Sequence, residues 1–274
     1  MLRIIDARTG EPVDAVPARR GLTRVEVHVP GYDTSALRVL LVADVLLRAL
    51  ELGGTPVWAL LTADRDQAEL HAGAAALGIR PFEDLWEVGP AWGESQVVHV
   101  VGEGGATPEG LRVVVAPVET PGDAEGTAPG GLGASVETPE VAEGIAPGVV
   151  GAPVRTSGTV PGADPAVVRL ALLTQPRSTP ARLDERALGQ AHETLVRWRR
   201  AVAAWARQPS RPVPDEVRGR LRTAWEDDLD VPEVLRVLKW VEESELPEGA
   251  RFETYAYADR LLGLELTRDL GSPS

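Results

Sequence analysis

The feature that most restricts the fold is a strand–helix–strand signature near the start of the chain. Val25-Glu-Val-His-Val29 alternates apolar with polar side chains, the period of a β-strand. Pro30 and Gly31 break that pattern, and Asp33, Thr34 and Ser35 are residue types that cap a helix. Leu37, Leu40, Leu41, Asp44, Val45, Leu47 and Leu50 then recur at helical spacing, and Gly53-Gly54 ends the run. Thr55 to Leu61 is a short, continuous apolar segment, as expected of a strand buried on both faces of a parallel sheet. Two such strands joined by a helix form a βαβ unit with a right-handed crossover. The chain therefore opens as an α/β domain.

The same reading continues with a helix across Arg65 to Leu77, which Phe82 to Trp86 extends. Two more strands follow at Val97 to Val101 and Leu111 to Val115. Residues 117–154 then change character. Val118 to Ala134 is echoed by Val136 to Ala152 with a period of 18 residues, and the segment is rich in Pro, Gly, Ala, Thr and Glu. Two copies are too few for a solenoid. The composition predicts a disordered linker, with a partner-docking segment as the alternative. From Asp164 to Leu270 the pattern is helical. Asp164 followed by Pro165 is a helix start, and a long helix spans about Asp184 to Arg207. Asp215 to Glu226 forms another helix. Asp230-Val-Pro-Glu233 is a capping box that opens Val234 to Glu243, and Phe252 to Leu266 closes the set. Short connections between these helices imply antiparallel neighbours in a bundle. The expected organisation is a nucleotide-fold domain over 1–116, a linker over 117–154, and a connecting loop with helices over 155–274.

Composition excludes several functions. No cysteine occurs, so neither disulfides nor thiolate zinc sites can form. The four histidines, His28, His71, His99 and His192, lie far apart in sequence, and none is at helical i, i+4 spacing to another. No metal site is expected on that count. The net charge is −13. Residues 1–163 carry −11 of it and residues 164–274 carry −2, so neither half is a basic surface that gathers phosphates. No apolar run is long enough to span a membrane, and Met1 to Gly10 lacks the apolar core of a secretory signal; a cytoplasmic protein is expected. Lysine occurs once, at Lys239, an imbalance attributed to a GC-rich genome.

Several segments, in order, resemble the cysteinyl-tRNA synthetase and mycothiol cysteine ligase family. Leu2-Arg-Ile-Ile-Asp-Ala-Arg-Thr-Gly10 is similar to the family's opening L-R-I-Y-N-T-x-T, and Arg38 to Leu50 resembles its A-R-T-x-V-x-F-D-V-L-x-R-Y-L helix. Leu60 to Gln67 stands where the family has N-I-T-D-V-D-D-K. Ala163 to Leu173 resembles D-P-x-A-L-R-L-x-L-L, the start of its stem-contact helices. Leu183 to Leu188 and Trp225 to Pro232 resemble later landmarks. The resemblance implies a reduced, Rossmann-like class I nucleotide-binding domain followed by an all-α bundle. It also implies ATP and magnesium as cofactors, and a chemistry in which an aminoacyl-adenylate forms and is passed to a tRNA or an amine.

The residues that perform this chemistry in the family are largely replaced. Its H-I-G-H motif falls on Asp33-Thr34-Ser35-Ala36, which puts a carboxylate beside the place of a triphosphate, where it repels that anion unless magnesium intervenes. Its K-M-S-K-S loop falls near Pro153 to Ser157, where Arg155 stands for one lysine at most. Asp64 and Asp66 fall near family aspartates at a strand's carboxyl end. The substrate-selecting zinc has no thiolate here, and His28, near its first ligand's place, reads as a packed or surface histidine. The candidate nucleotide contacts are thus Asp33, Thr34, Ser35, Asp66 and Arg155. Arg197, Arg199 and Arg200, with Arg207 and Arg211, form a basic stretch that is the candidate RNA contact, while Trp198, Trp205, Trp225 and Trp240 read as core. Three functions follow as expectations: a scaffold without cysteine-activating activity that binds a tRNA, a small-molecule amine or a protein partner; an adenylate-forming ligase for another substrate; or an RNA-binding module.

Overall fold

The computed structural model describes residues 1–15, 21–84, 94–106, 109–119 and 164–271. Its centre is a five-stranded, wholly parallel sheet. The strands are β3 (Leu22–Val29), β4 (Val57–Ala63), β5 (Glu83–Asp84), β6 (Glu94–Gly102) and β7 (Leu111–Val115). Their order across the sheet is β5-β4-β3-β6-β7. A small antiparallel pair, β1 (Arg3–Ile5) and β2 (Pro12–Asp14), precedes them.

The two faces of the sheet differ because side chains alternate along each strand. Val25 and Val27 of β3 lie beside Val98 and Val100 of β6, all fully buried. This apolar face receives the helix α1 (Thr34–Leu52), whose Val39 lies against Gly102. Arg24, Glu26 and His28 occupy the opposite face of β3, level with Val97, His99 and Val101 of β6. The connection from β6 to β7 crosses that polar face: Gly105 packs on Val101, and Gly110 packs on the His99 ring. Strand order thus proceeds outward in one direction from β3 through β4 to β5, and in the other from β6 to β7. The reversal lies between β3 and β6, and in open α/β sheets ligands bind outside the strand ends at that point.

The second helix, α2 (Gln67–Ala76), is shorter than the expected Arg65 to Leu77. Its N-cap, Asp66, has a φ of 58° and makes no capping bond, so the turn is left-handed there and the helix starts late. The expected extension over Phe82 to Trp86 is corrected in its described part. Phe82 is buried, and Glu83–Asp84 pairs in parallel with Leu60 and Leu61, so the segment is an edge strand. The repeat between Val118 and Ala152 lies outside the described residues, except that Val118–Glu119 forms β8. That strand pairs with β9 (Ala181–Arg182) and ties the sheet to the C-terminal helices.

Those helices are α3 (Pro165–Leu173), α4 (Glu185–Trp205), α5 (Asp215–Glu226), α6 (Val231–Glu243) and α7 (Glu248–Leu262). Carboxylates cap three of them, Asp164 and Asp230 as the sequence predicts and Asp184 where the helix itself was expected to begin. Asp164 accepts from Ala166 N (3.0 Å), Asp184 from Ala187 N (2.7 Å) and Asp230 from Glu233 N (2.9 Å). Among them Trp198 and Trp205 pack edge-on against Tyr255, whose hydroxyl donates to Leu238 O at 2.9 Å. Trp225 is also buried, but Trp240 is 39% exposed and lies under the Arg220 guanidinium at 4.5 Å, which corrects its assignment to the core. The last helix ends at Gly263, with φ 61°, rather than at Leu266. Among the described residues no helix is long and apolar enough to cross a membrane.

Arginines join the two halves from inside. Arg169 of α3 is fully buried. It donates to Leu262 O (2.6 Å), to Leu77 O and Gly78 O (both 3.3 Å), and to Asp44 Oδ2 of α1 (2.6 Å). Asp44 also accepts from Arg48 (2.9 Å) and Arg80 (3.0 Å). Burial pushes the Asp44 carboxyl up, but the Arg169 and Arg48 guanidiniums pull it further down, so it sits below the usual carboxylate range. Arg38 of α1 is 1% exposed and donates to the carbonyls of Ala116, Pro117 and Pro176. With no carboxylate paired to it among the described residues, burial brings its guanidinium down to about 10.

Candidate functional site

A cavity of about 720 Å³ opens at the carboxyl ends of the strands, where the strand order reverses. The elements around it follow from local sequence. Pro30 and Gly31 stop β3, and Asp33 then starts α1 with its side chain accepting from Ala36 N at 2.6 Å. The first turn of α1 therefore forms one wall and brings the positive end of a helix dipole to it. Thr62 and Asp64, at the end of β4, form a second wall. Gly102 to Ala106, the turn after β6, forms a third, with Gly104 in the left-handed region at φ 76°.

The electrostatics of this cavity are distinctive. Asp33, Asp64 and Glu103 line it together with His28, and no described lining residue is Arg or Lys. The hydroxyl of Thr62, a lining residue, is buried and has no hydrogen-bond partner among the described residues. Such an atom loses its hydration without compensation until something polar meets it.

The residues predicted as nucleotide contacts separate. Asp33 and Ser35 line the cavity. Ser35 is partly committed, since its hydroxyl accepts from Val118 N at 3.0 Å. Thr34 is the first residue of α1 and does not line the cavity. Asp66 is also away from it. Its Oδ2 accepts from Tyr32 N at 3.3 Å and lies 3.4 Å from Arg65, so it seats the turn after β3. Asp64 lines the cavity. Arg155 lies outside the described residues.

A second hollow, of about 730 Å³, lies among the C-terminal helices. Leu170, Trp198 and Leu235 form its apolar lining. Its polar rim has Arg182, Arg197, Arg236 and Lys239 against the single carboxylate of Glu193. The predicted RNA contacts divide around it. Arg197 borders it and pairs with Glu242 at 2.9 Å, and Arg200 is exposed. Arg199 points inward and is buried. It donates to Asp164 (2.6 Å), Leu264 O (2.9 Å) and Glu265 O (3.2 Å), so its guanidinium is committed inside the protein and is not presented to a phosphate. Its place on α4, one residue from the buried Trp198, is the signal that could have shown this.

Beneath the first cavity, on the polar face of the sheet, the structure brings together three residues that sequence reading kept apart. Glu26 and His28 are two residues apart on β3, and His99 is the direct neighbour of Glu26 on β6. His28 Nε2 and His99 Nδ1 are 3.0 Å apart. Glu26 Oε2 is 3.5 Å from the first and 3.2 Å from the second. Hydrogen bonding by His28 and His99 holds the Glu26 carboxyl far below the usual range, against the opposing effect of burial. Arg24 approaches the other carboxylate oxygen at 2.8 Å. Only the register of β3 on β6 creates this cluster, and register is not written in the spacing of the histidines.

Fold and site together define a parallel α/β protein with a switch-point cavity and an appended set of helices. The chain matches no family model and no curated protein.

Proposed function

We propose that this protein is a divergent, shortened relative of class I synthetases of the cysteinyl-tRNA synthetase and mycothiol cysteine ligase type, and that it binds a ligand without activating cysteine. One observation carries the reading: the switch-point cavity has three carboxylates and no guanidinium or ammonium among its described lining residues. A phosphate charge about 4 Å from a carboxylate costs about 4 kcal/mol at an effective dielectric near 20. A triphosphate there meets that repulsion where the family presents cations. A small amine meets attraction instead from Asp33, Asp64 and Glu103. The scaffold is of the nucleotide-binding type, and its ligand is a polar amine.

Isothermal calorimetry with ATP, with and without magnesium, tests the first half. No heat of binding and no ATP–pyrophosphate exchange with any amino acid are expected. A measurable exchange rate sinks the reading in favour of an adenylate-forming ligase acting on another substrate. A thermal-shift survey of small amines tests the second half, with loss of the shift in Asp64→Asn as the expected signature.

A second reading is favoured by the rim of the other hollow. Arg182, Arg197, Arg236 and Lys239 gather there in a chain of net charge −13; the exposed side chains of Arg182, Arg197 and Arg236 are paired with Glu119, Glu242 and Glu233, pairs that an RNA backbone would have to displace. Binding of tRNA that weakens steeply with salt and falls in Arg197→Glu plus Lys239→Glu supports it. Salt-independent binding, or none, rejects it.

A further inference from the structure

We infer that Glu26, His28 and His99 form a binding site for a divalent first-row transition ion of the zinc type. This inference is independent of the cavity's ligand. Absence of cysteine excludes thiolate sites, but it does not exclude a site made of two imidazoles and a carboxylate.

The distances carry the inference. The three atoms His28 Nε2, His99 Nδ1 and Glu26 Oε2 stand at the corners of a triangle with edges of 3.0, 3.2 and 3.5 Å. Zinc bonds to imidazole nitrogen and carboxylate oxygen at about 2.0–2.1 Å, and two ligands of a regular tetrahedron at that length are about 3.3 Å apart. A point about 2.05 Å from all three atoms lies about 0.8 Å out of their plane. In a regular tetrahedron the corresponding height is about 0.7 Å. The triangle is therefore already one face of a four-coordinate site, with the fourth position open.

The chemistry of the triangle points the same way. Each ring nitrogen can carry a proton or present a lone pair, and the carboxylate oxygen only accepts. A single proton on one edge satisfies two of the three atoms. A cation at the centre satisfies all three. The cluster is also held from outside. Arg24 meets Glu26 Oε1 and so leaves Oε2 to face the imidazoles. On the far side of His99, a Cβ at position 110 would lie 2.9–3.0 Å from the ring, so glycine there lets the backbone press against it. Fixed rings and an oriented carboxylate are what outer contacts provide in metal sites. Glu26 and His99 are 4% and 2% exposed, while His28 borders the open cavity and leaves a path inward. The positive charge of Arg24 disfavours a hard cation bound through charge alone. It selects an ion with strong bonds to imidazole, such as Zn²⁺, Co²⁺, Ni²⁺ or Cu²⁺, over Mg²⁺ or Ca²⁺.

The test uses the full chain, stripped with a chelator and titrated with Co²⁺ while the visible absorption of the ion is recorded. Expected are one Co²⁺ per chain with the intense bands of a four-coordinate site, displacement by Zn²⁺, and a rise in melting temperature with Zn²⁺. His99→Gln and His28→Gln should each weaken binding by about 100-fold or more. Near-ultraviolet circular dichroism of the metal-free variants verifies that they are folded. His71→Gln and His192→Gln should bind as the parent does. The inference is overturned if the folded parent gives neither the cobalt spectrum nor the zinc shift, or if the two ligand variants bind as tightly as the parent. Loss of binding in His71→Gln or His192→Gln would equally place the ion elsewhere.

Discussion

Replacing Asp44 by Asn removes one charge from the interior without removing volume, and its effect can be worked from the structure. The Asp44 side chain is fully buried and accepts from Arg48, Arg80 and Arg169. The Arg48 and Arg80 side chains are 17% and 34% exposed and can turn to water, so each loses about 1 kcal/mol or less. Arg169 is fully buried and keeps its bonds to the Leu262, Leu77 and Gly78 carbonyls, but it loses the carboxylate that pairs with it directly, leaving only the more distant Asp259 charge to offset its own. Breaking a buried pair in this way costs about 3–5 kcal/mol. The expected loss is therefore about 4 kcal/mol, a large part of the roughly 5–15 kcal/mol that holds a protein folded. At about 2–4 °C per kcal/mol for a chain of this size, the melting temperature should fall by about 8–16 °C. Urea unfolding and calorimetry at neutral pH measure both quantities. Asp44→Asn combined with Arg169→Met should cost less than the sum of the two single losses, because with both partners replaced no buried charge is left unpaired. A cost below about 1 kcal/mol for the single variant, or a double variant whose losses simply add, refutes the account.

Three further outcomes are expected. Acid should destabilise the protein through Asp44 and Asp164. In both, burial raises the carboxyl but neighbouring arginines bring it below its ordinary value. Their contribution is complete above the unfolded value of about 3.9 and disappears as pH falls through the lower folded value, so melting temperature against pH should stay flat on their account from about pH 5 upward and drop below it. Arg199→Ala should cost about 2–4 kcal/mol in urea unfolding, by removing its bonds to Asp164 and to the Leu264 and Glu265 carbonyls, whereas exposed Arg200→Ala should cost less than about 0.5 kcal/mol; equal effects would show that Arg199 is not the internal tie described. Gly110→Ala should destabilise by about 1–3 kcal/mol, because φ is 150° there and the new Cβ would meet the His99 ring, and a nuclear magnetic resonance shift of the His99 ring protons checks that it moved.

Much of the fold can be read from sequence because its signals are local. Alternation gave β3, a continuous apolar run gave β4, and caps at Asp33, Asp164 and Asp230 marked helix starts. What could not be read depends on distant partners. Glu83–Asp84 becomes a strand only because β4 offers it an edge. Glu26, His28 and His99 meet only through strand order and register. The internal arginines left a fainter trace. Arg169 interrupts the apolar run of α3, and Asp44 interrupts the apolar stripe of α1. A charge in such a position calls for a partner, which the structure supplies from 125 residues away.

That separation has a consequence for synthesis. A ribosome adds about 5–20 residues per second, so Asp44 emerges about 6–25 s before Arg169. During that interval Arg48 and Arg80 alone can hold its charge. Arg38 waits longer for Pro176, 138 residues downstream. The α/β half cannot complete its interior until the helices that follow have been made. It is finished last, although it is translated first.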